Sequence, residues 1–234
     1  SILGGTFGSR CVTGMLDPDI PGYAEKLAKF GCSPEKAKAA KRDISKYECY
    51  LEYHIEQGDK LDHTGIDVGV VSGIVSIIDY KVTAKGMSNH AGTTMMANRK
   101  DALVGMAKLI VAAEERAREL NDTLVFTVGK IAVSPGQENV IPGQAVANFE
   151  MRHMDKAVTD QFYADIQALA KEIPNCEFEL VNTGDKYSTP CDPRLIKLID
   201  DVCTEKGISH VIMPSGAGND ANSMAHEGVP IGMI

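Results

Sequence analysis

Five short stretches of this chain combine residue types able to do chemistry. The first is His54-Ile55-Glu56-Gln57-Gly58. Alternation along 49–56 sets Tyr50, Glu52, His54 and Glu56 on one face of a strand, and Leu51, Tyr53 and Ile55 on the other. A histidine at a strand end, followed by a polar turn, can offer an imidazole nitrogen to a metal ion. Taken alone, such a histidine is more often a satisfied surface or core residue. The second stretch runs from Ser88 to Thr94, with small and hydroxyl residues around His90. Backbone donors and an imidazole converging there can stabilise an anion or a polarised carbonyl, although a tight turn with an incidental histidine has the same composition. The third and fourth are Asn139-Val140-Ile141-Pro142-Gly143 and Arg152. An amide plus a guanidinium suits a carboxylate or amide ligand, whereas Arg152 alone reads as a solvated charge. The fifth is the Gly-rich turn from Ser215 to Ala221. It has neither the Lys-Ser/Thr of a phosphate loop nor the Rossmann spacing, so it reads as a backbone-lined pocket edge.

The elements that must position these residues are clearest in the middle of the chain. A strand spans 77–84, and a helix starts from Asn98 as N-cap, with Asp101 three residues on. Leu103, Met106, Ala107, Ile110, Ala113, Ala117 and Leu120 recur in it at helical spacing. Strands follow at 123–131 and 145–153, the second with Ala145, Ala147, Phe149 and Met151 on one side. Asp155 caps a helix bearing Val158, Phe162, Ile166 and Leu169, and a last strand covers 176–182. The order β-α-β-β-α-β is that of a ferredoxin-like sandwich.

The flanks alternate short helices and strands: helices within 21–42, strands near 49–56 and 67–72, a helix begun by Asp192-Pro193 and a strand at 209–213. Such alternation predicts an α/β domain. The expected architecture is a discontinuous α/β domain, 1–76 plus 187–234, interrupted by an inserted sandwich at 77–186. The opening Ser1-Ile2-Leu3-Gly4-Gly5 has no methionine, and Val229 to Ile234 reads as a strand beginning in a core, so the α/β part is expected to be truncated.

Bulk properties exclude several classes. A net charge of −8 gives no electrostatic case for nucleic acid. No apolar run approaches the roughly 20 residues that span a bilayer, and the opening residues lack a basic region followed by an apolar core, so no signal peptide is expected. The six cysteines show no Cys-x-x-Cys spacing, which predicts reduced thiols in a cytoplasmic protein rather than disulfides or a zinc ribbon.

In this order, the segments resemble the N-carbamoyl-L-amino-acid hydrolase, allantoate amidohydrolase and β-ureidopropionase group of the M20 metallopeptidase-like family. The matching stretches are Gly8-Ser9-Arg10 with Thr13-Gly14, His54 to Gly58, Val70 to Ile74, Asn89 to Thr94, Asn139 to Gly143, Arg152, Ser215 to Ala221, and Gly232 to Ile234. The resemblance implies a metal-bearing α/β domain with a ferredoxin-like lid that dimerises, and hydrolysis of linear amide C–N bonds in carbamoyl or ureido substrates. It implies two divalent ions, zinc or manganese, that activate a water and polarise the scissile carbonyl. By the match His54 is a metal ligand, and Gln57 and Gly218 line the substrate pocket. His90, Asn139 and Arg152 reach the partner subunit's site. There His90 stabilises the oxyanion, while Asn139 and Arg152 hold the substrate carboxylate.

The departures carry implications too. The family's first His, bridging Asp and Glu-Glu pair precede the segment that matches Ser1, and its last His follows the segment that matches Ile234. The resemblance therefore implies an incomplete ion site and no catalysis by this chain alone. Asn219 stands where His is usual and Met95 where Pro is common. Two other readings stay open: a peptidase or aminoacylase of the same family, and a dimerisation module without catalysis.

Overall fold

The computed structural model describes residues 5–17 and 19–234. The opening residues Ser1 to Gly4, whose composition suggested a truncated start, lie outside the described residues. The chain forms two compact units: Ser1–Val75 with Thr189–Ile234, and Ser76–Ser188.

In the discontinuous unit, α1 (Phe7–Thr13), α2 (Tyr23–Ala28) and α3 (Pro34–Ala39) precede β1 (Tyr50–Glu52), α4 (Lys60–Thr64) and β2 (Val68–Ile74). Ser33 starts α3 because its hydroxyl accepts the Lys36 N–H and Pro34 needs no partner at the first helical position. The strand expected over 49–56 is shorter: β1 ends at Glu52, and beyond it the His54 N–H donates to the Ile234 carbonyl at 2.8 Å.

The inserted unit contains β3 (Ser76–Lys85), β4 (Asn89–His90), α5 (Ala102–Leu120), β5 (Val125–Ser134), β6 (Val140–Ile141), β7 (Gln144–His153), α6 (Lys156–Glu172) and β8 (Glu177–Lys186). Its four long strands form an antiparallel sheet in the order β5-β7-β3-β8. With α5 and α6 on one face, this is the βαββαβ sandwich. The packing follows the alternation: Ala145, Ala147, Phe149 and Met151 are fully buried with Val82, Ala84, Met106, Leu109, Phe162 and Ile166. Tyr80 and Tyr163 stack at 4.3 Å, and Phe126 meets Phe149 and Phe162 edge-on.

The start of α5 differs from expectation. Asn98 closes a 3-10 turn, and Asp101 is the cap, its carboxylate accepting the Leu103 and Val104 N–H groups at 3.0 and 3.1 Å. A carboxylate that reaches two of the helix's orphan donors outcompetes an amide three residues too early. Asp155 does cap α6, accepting the Ala157 N–H.

The chain returns to the discontinuous unit through β9 (Thr189–Pro190), α7 (Pro193–Glu205), β10 (His210–Ser215), α8 (Asp220–His226) and β11 (Ile231–Met233). Parallel pairs join β1 to β11 and β2 to β10. Val71, Ile74, Cys191, Ala221, Met224 and Ile231 pack in one cluster, and Val70, Ile199 and Cys203 in another. All six cysteines are free, and burial pushes the Cys191 thiol up to about 11.

Candidate functional site

In the discontinuous unit His54 lies just beyond β1, bonded to the residue that follows β11. His54 is half-buried, and its Nδ1 lies 2.6 Å from the Ile55 carbonyl oxygen. A carbonyl can only accept, so Nδ1 carries the proton and Nε2 keeps its lone pair. That leaves Nε2 available as a metal donor, with Nδ1–H held by a backbone carbonyl. Glu56 serves elsewhere: its carboxylate accepts the Lys60 and Leu61 N–H groups at 3.0 and 2.9 Å and caps α4. Gln57 is exposed, on left-handed backbone at φ 55°. The alternation holds beyond the strand: Tyr50, Glu52, His54 and Glu56 are half-buried, while Leu51, Tyr53 and Ile55 are exposed.

The Gly-rich turn is organised by Asn219, which is 4% exposed. Its amide donates to the Ser215 hydroxyl at 3.0 Å and the Ala217 carbonyl at 2.9 Å, and its backbone N–H is accepted by the Asn222 side chain. Asn219 therefore braces the turn from inside, and Gly218 is exposed at its tip. The end of α8 is already filled, because Glu52 accepts the Ala221 N–H at 2.7 Å. A carboxylate there takes the position a phosphate would need.

The resemblance implies metal ions, which need several converging donors. Among the described residues no three of His, Cys, Asp or Glu converge, and no buried side-chain nitrogen or oxygen lacks a partner. His54 is a single donor. These residues do not by themselves fit a metal centre, and no catalytic step follows from them through one.

In the inserted unit the structure joins two stretches that lie far apart in sequence. β4 pairs antiparallel with β6, setting Asn89 opposite Ile141 and His90 opposite Val140, and the Ala91 N–H donates to the Asn139 carbonyl at 2.9 Å. Gly143 is required here, since a Cβ would come within 2.4 Å of the Ser88 hydroxyl oxygen and 2.9 Å of its backbone nitrogen. His90 is exposed, and its Nδ1 lies 3.0 Å from the Gly92 N–H. A backbone N–H can only donate, so Nδ1 accepts and the neutral ring carries its proton on Nε2. His90 thus offers an N–H outward, a donor suited to a developing oxyanion.

Arg152 sits elsewhere. It lies at the far end of β7, opposite Ile77 and Val125, and the strand from Gln144 to Arg152 alone covers about 26 Å. His90 and Asn139 lie beyond the Gln144 end. Within one inserted unit, Asn139 and Arg152 therefore lie near opposite ends of β7. Arg152 is held by Glu150, whose Oε1 accepts from Nε at 2.8 Å and lies 2.7 Å from the terminal guanidinium nitrogen. Asp79 faces Glu150 across the strands, and its carboxyl is pushed up by burial first and by the Glu150 charge second.

Sequence reading missed three positioning residues: Glu52, Glu150 and Arg99. Glu150 carried a weak signal, two residues from Arg152 on the same strand face. The other two carried none, because their partners are backbone groups at the end of α8 and in the His90 loop. A cavity of about 430 Å³ beside α6 and β8, lined by Lys171, Cys176, Phe178 and Leu180, includes none of the expected site residues.

The fold and these loops define a class: an α/β protein interrupted by a ferredoxin-like insertion that presents a histidine donor and an amide from one loop cluster. Residues 72–175 match the M20 family model described as a peptidase dimerisation domain. The chain is 32% identical to allantoate amidohydrolase of Escherichia coli over 97% of its own length, and 33% identical to N-carbamoyl-L-amino acid amidohydrolase of Geobacillus stearothermophilus over 98%. It spans 58% of the length of each of those relatives. A hydantoinase/carbamoylase family amidase from Burkholderia ambifaria superposes with a TM-score of 0.85 at 26% identity, covering 98% of this chain and 58% of that one. The chain belongs to the M20 family, in the group of the allantoate and N-carbamoyl-L-amino-acid amidohydrolases.

Proposed function

We propose that this chain is part of a metal-dependent amidohydrolase that cleaves the carbamoyl or ureido C–N bond of N-carbamoyl amino acids or ureido acids. The observation that carries the reading is His90, an outward Nε2–H donor joined to Asn139 in one loop cluster. It occurs in a chain whose relatives, matched along nearly all of it, are amidohydrolases. His90 would stabilise the oxyanion of the attacked carbonyl, and Arg152 would hold the substrate carboxylate. Gln57 and Gly218 would line the substrate pocket. His54, with its free Nε2, would give one ligand to a zinc or manganese centre, and this chain alone would hold no stoichiometric metal.

The reading includes a cytoplasmic homodimer. His90, on the separate β4–β6 pair, lies beyond the Gln144 end of β7, and Arg152 lies near the other end, so Arg152 of one protomer and the partner's His90 would serve one substrate. The β5 edge suits the contact. It exposes Ile131 and Val133 on the face that carries α5, and α5 exposes Leu103, Val104 and Val111. The opposite edge, β8, carries Glu177, Glu179, Asp185 and Lys186, charges that discourage strand pairing. Among the described residues no helix is long and apolar enough to cross a membrane.

The test is a turnover screen of the protein bearing this chain, supplied with zinc or manganese. Ammonia release from N-carbamoyl amino acids or allantoate is expected. Turnover of acetyl-amino acids or dipeptides alone would move the reading to an aminoacylase or peptidase. No turnover at all, with a dimer retained, would leave a dimerisation module.

A further inference from the structure

The loop that carries His90 is held from within by the Arg99 side chain. Arg99 Nε donates to the Thr94 carbonyl at 3.2 Å, and a terminal guanidinium nitrogen donates to the Ala91 carbonyl at 2.5 Å. The rest of the turn closes on itself: the Thr94 N–H and hydroxyl both donate to the His90 carbonyl, at 3.2 and 2.8 Å. The Asn89 side-chain oxygen accepts the His90 N–H at 2.9 Å. Inside this frame the Gly92 N–H meets His90 Nδ1. Position 92 has little room for a side chain, since a Cβ would lie 3.2 Å from the ring Cε1 and 3.5 Å from Nδ1.

Each part has a separate physical consequence. The planar guanidinium bridges two carbonyls on either side of Gly92, which a single ammonium cannot do with the same geometry. With Ala91 and Thr94 pinned, the Gly92 N–H has a fixed direction. That N–H can satisfy only an unprotonated ring nitrogen, so the tautomer is chosen by the backbone.

We propose that Arg99 is a positioning residue that, by pinning Ala91 and Thr94, lets the Gly92 N–H hold His90 as the Nε2–H tautomer, a preformed neutral donor for the substrate carbonyl. The catalytic half of this statement rests on the proposed amidohydrolase reading. The tautomer half does not, and the experiment separates them.

Long-range proton–nitrogen correlation spectra of the 234-residue chain, recorded above the ordinary imidazole titration range, report which ring nitrogen carries the proton. Comparison with His90→Gln assigns the signal. The expected result is a pyridine-type Nδ1 and a pyrrole-type Nε2 for His90. Arg99→Gln should shift the ring towards the tautomer mixture of a free imidazole, Arg99→Lys should fall between, and Gly92→Ala should displace the ring without touching Arg99. A pyrrole-type Nδ1 in the unaltered chain, or ring nitrogens unmoved by Arg99→Gln, would overturn the proposal. In the metal-loaded enzyme, Arg99→Gln should lower kcat by about 10- to 100-fold with little change in KM, part of what losing an oxyanion donor entails. Normal kcat with a changed tautomer would count against the catalytic half. Peptide rather than carbamoyl turnover would sink the functional reading while leaving the tautomer result standing.

Discussion

Glu52 Oε2 accepts the backbone N–H of Ala221 at 2.7 Å, tying the end of β1 to the first turn of α8 across 169 positions of sequence. The same helix start is tied to α1, where the Ser9 hydroxyl donates to Asp220 at 2.6 Å. Replacing Glu52 with Ala removes a charge-assisted bond at a helix N-terminus and should destabilise the chain by about 1–2 kcal/mol. Glu52→Gln keeps an acceptor and should lose less. Urea midpoints of the two variants check this, and equal midpoints for Ala and wild type would show that β1 and α8 do not depend on the bond.

Arg152 should act on substrate affinity rather than on the bond-breaking step. In the metal-loaded enzyme Arg152→Ala should raise KM for a carboxylate-bearing substrate by about 10- to 100-fold, with kcat far less affected. The same substitution should leave a substrate lacking the carboxylate almost untouched. An unchanged KM would remove Arg152 from the substrate's carboxylate.

Charge placed on the apolar edge should separate protomers. Val111→Glu and Ile131→Lys change side chains that are 56% and 48% exposed, so the fold of each inserted unit should survive. Light scattering should then show a shift from dimer to monomer. A dimer that persists in both variants would place the contact on another surface.

The pH dependence of stability should report on His210. Its Nδ1 lies 2.8 Å from the Ile208 carbonyl and its Nε2 3.0 Å from Asp200, so both nitrogens face acceptors and the doubly protonated ring is favoured. The pKa is raised from 6.5, first by the Ile208 carbonyl and then by the Asp200 contact. A raised folded pKa means the stabilisation is complete below the unfolded value and disappears as pH climbs through the folded one. Denaturant midpoints of wild type should therefore fall on going from about pH 6 to about pH 8.5 more than those of Asp200→Asn. Parallel curves for the two proteins would contradict this.

What the sequence by itself determined was set by local rules. Alternation at Ala145, Ala147, Phe149 and Met151, together with helical spacing from Met106 to Ala117, was enough to place the βαββαβ unit, because one buried face leaves a periodic record in the chain. Asp155 and Asp192 announced their helices because a cap bonds to residues two or three positions away. Even there, two candidates within one turn, Asn98 and Asp101, were separated only by which side chain reaches two N–H groups.

Only the tertiary structure decided the rest. Strand pairing joined Asn139 to the His90 loop and sent Arg152 to the other end of the sheet, and register is a property of two segments rather than one. Backbone partners gave His54 and His90 opposite tautomers, one a lone-pair donor and the other a hydrogen-bond donor, though the two residues are the same letter in the sequence. An imidazole's chemistry depends on which nitrogen holds the proton, and that is set by whichever carbonyl or N–H the folded chain brings to it.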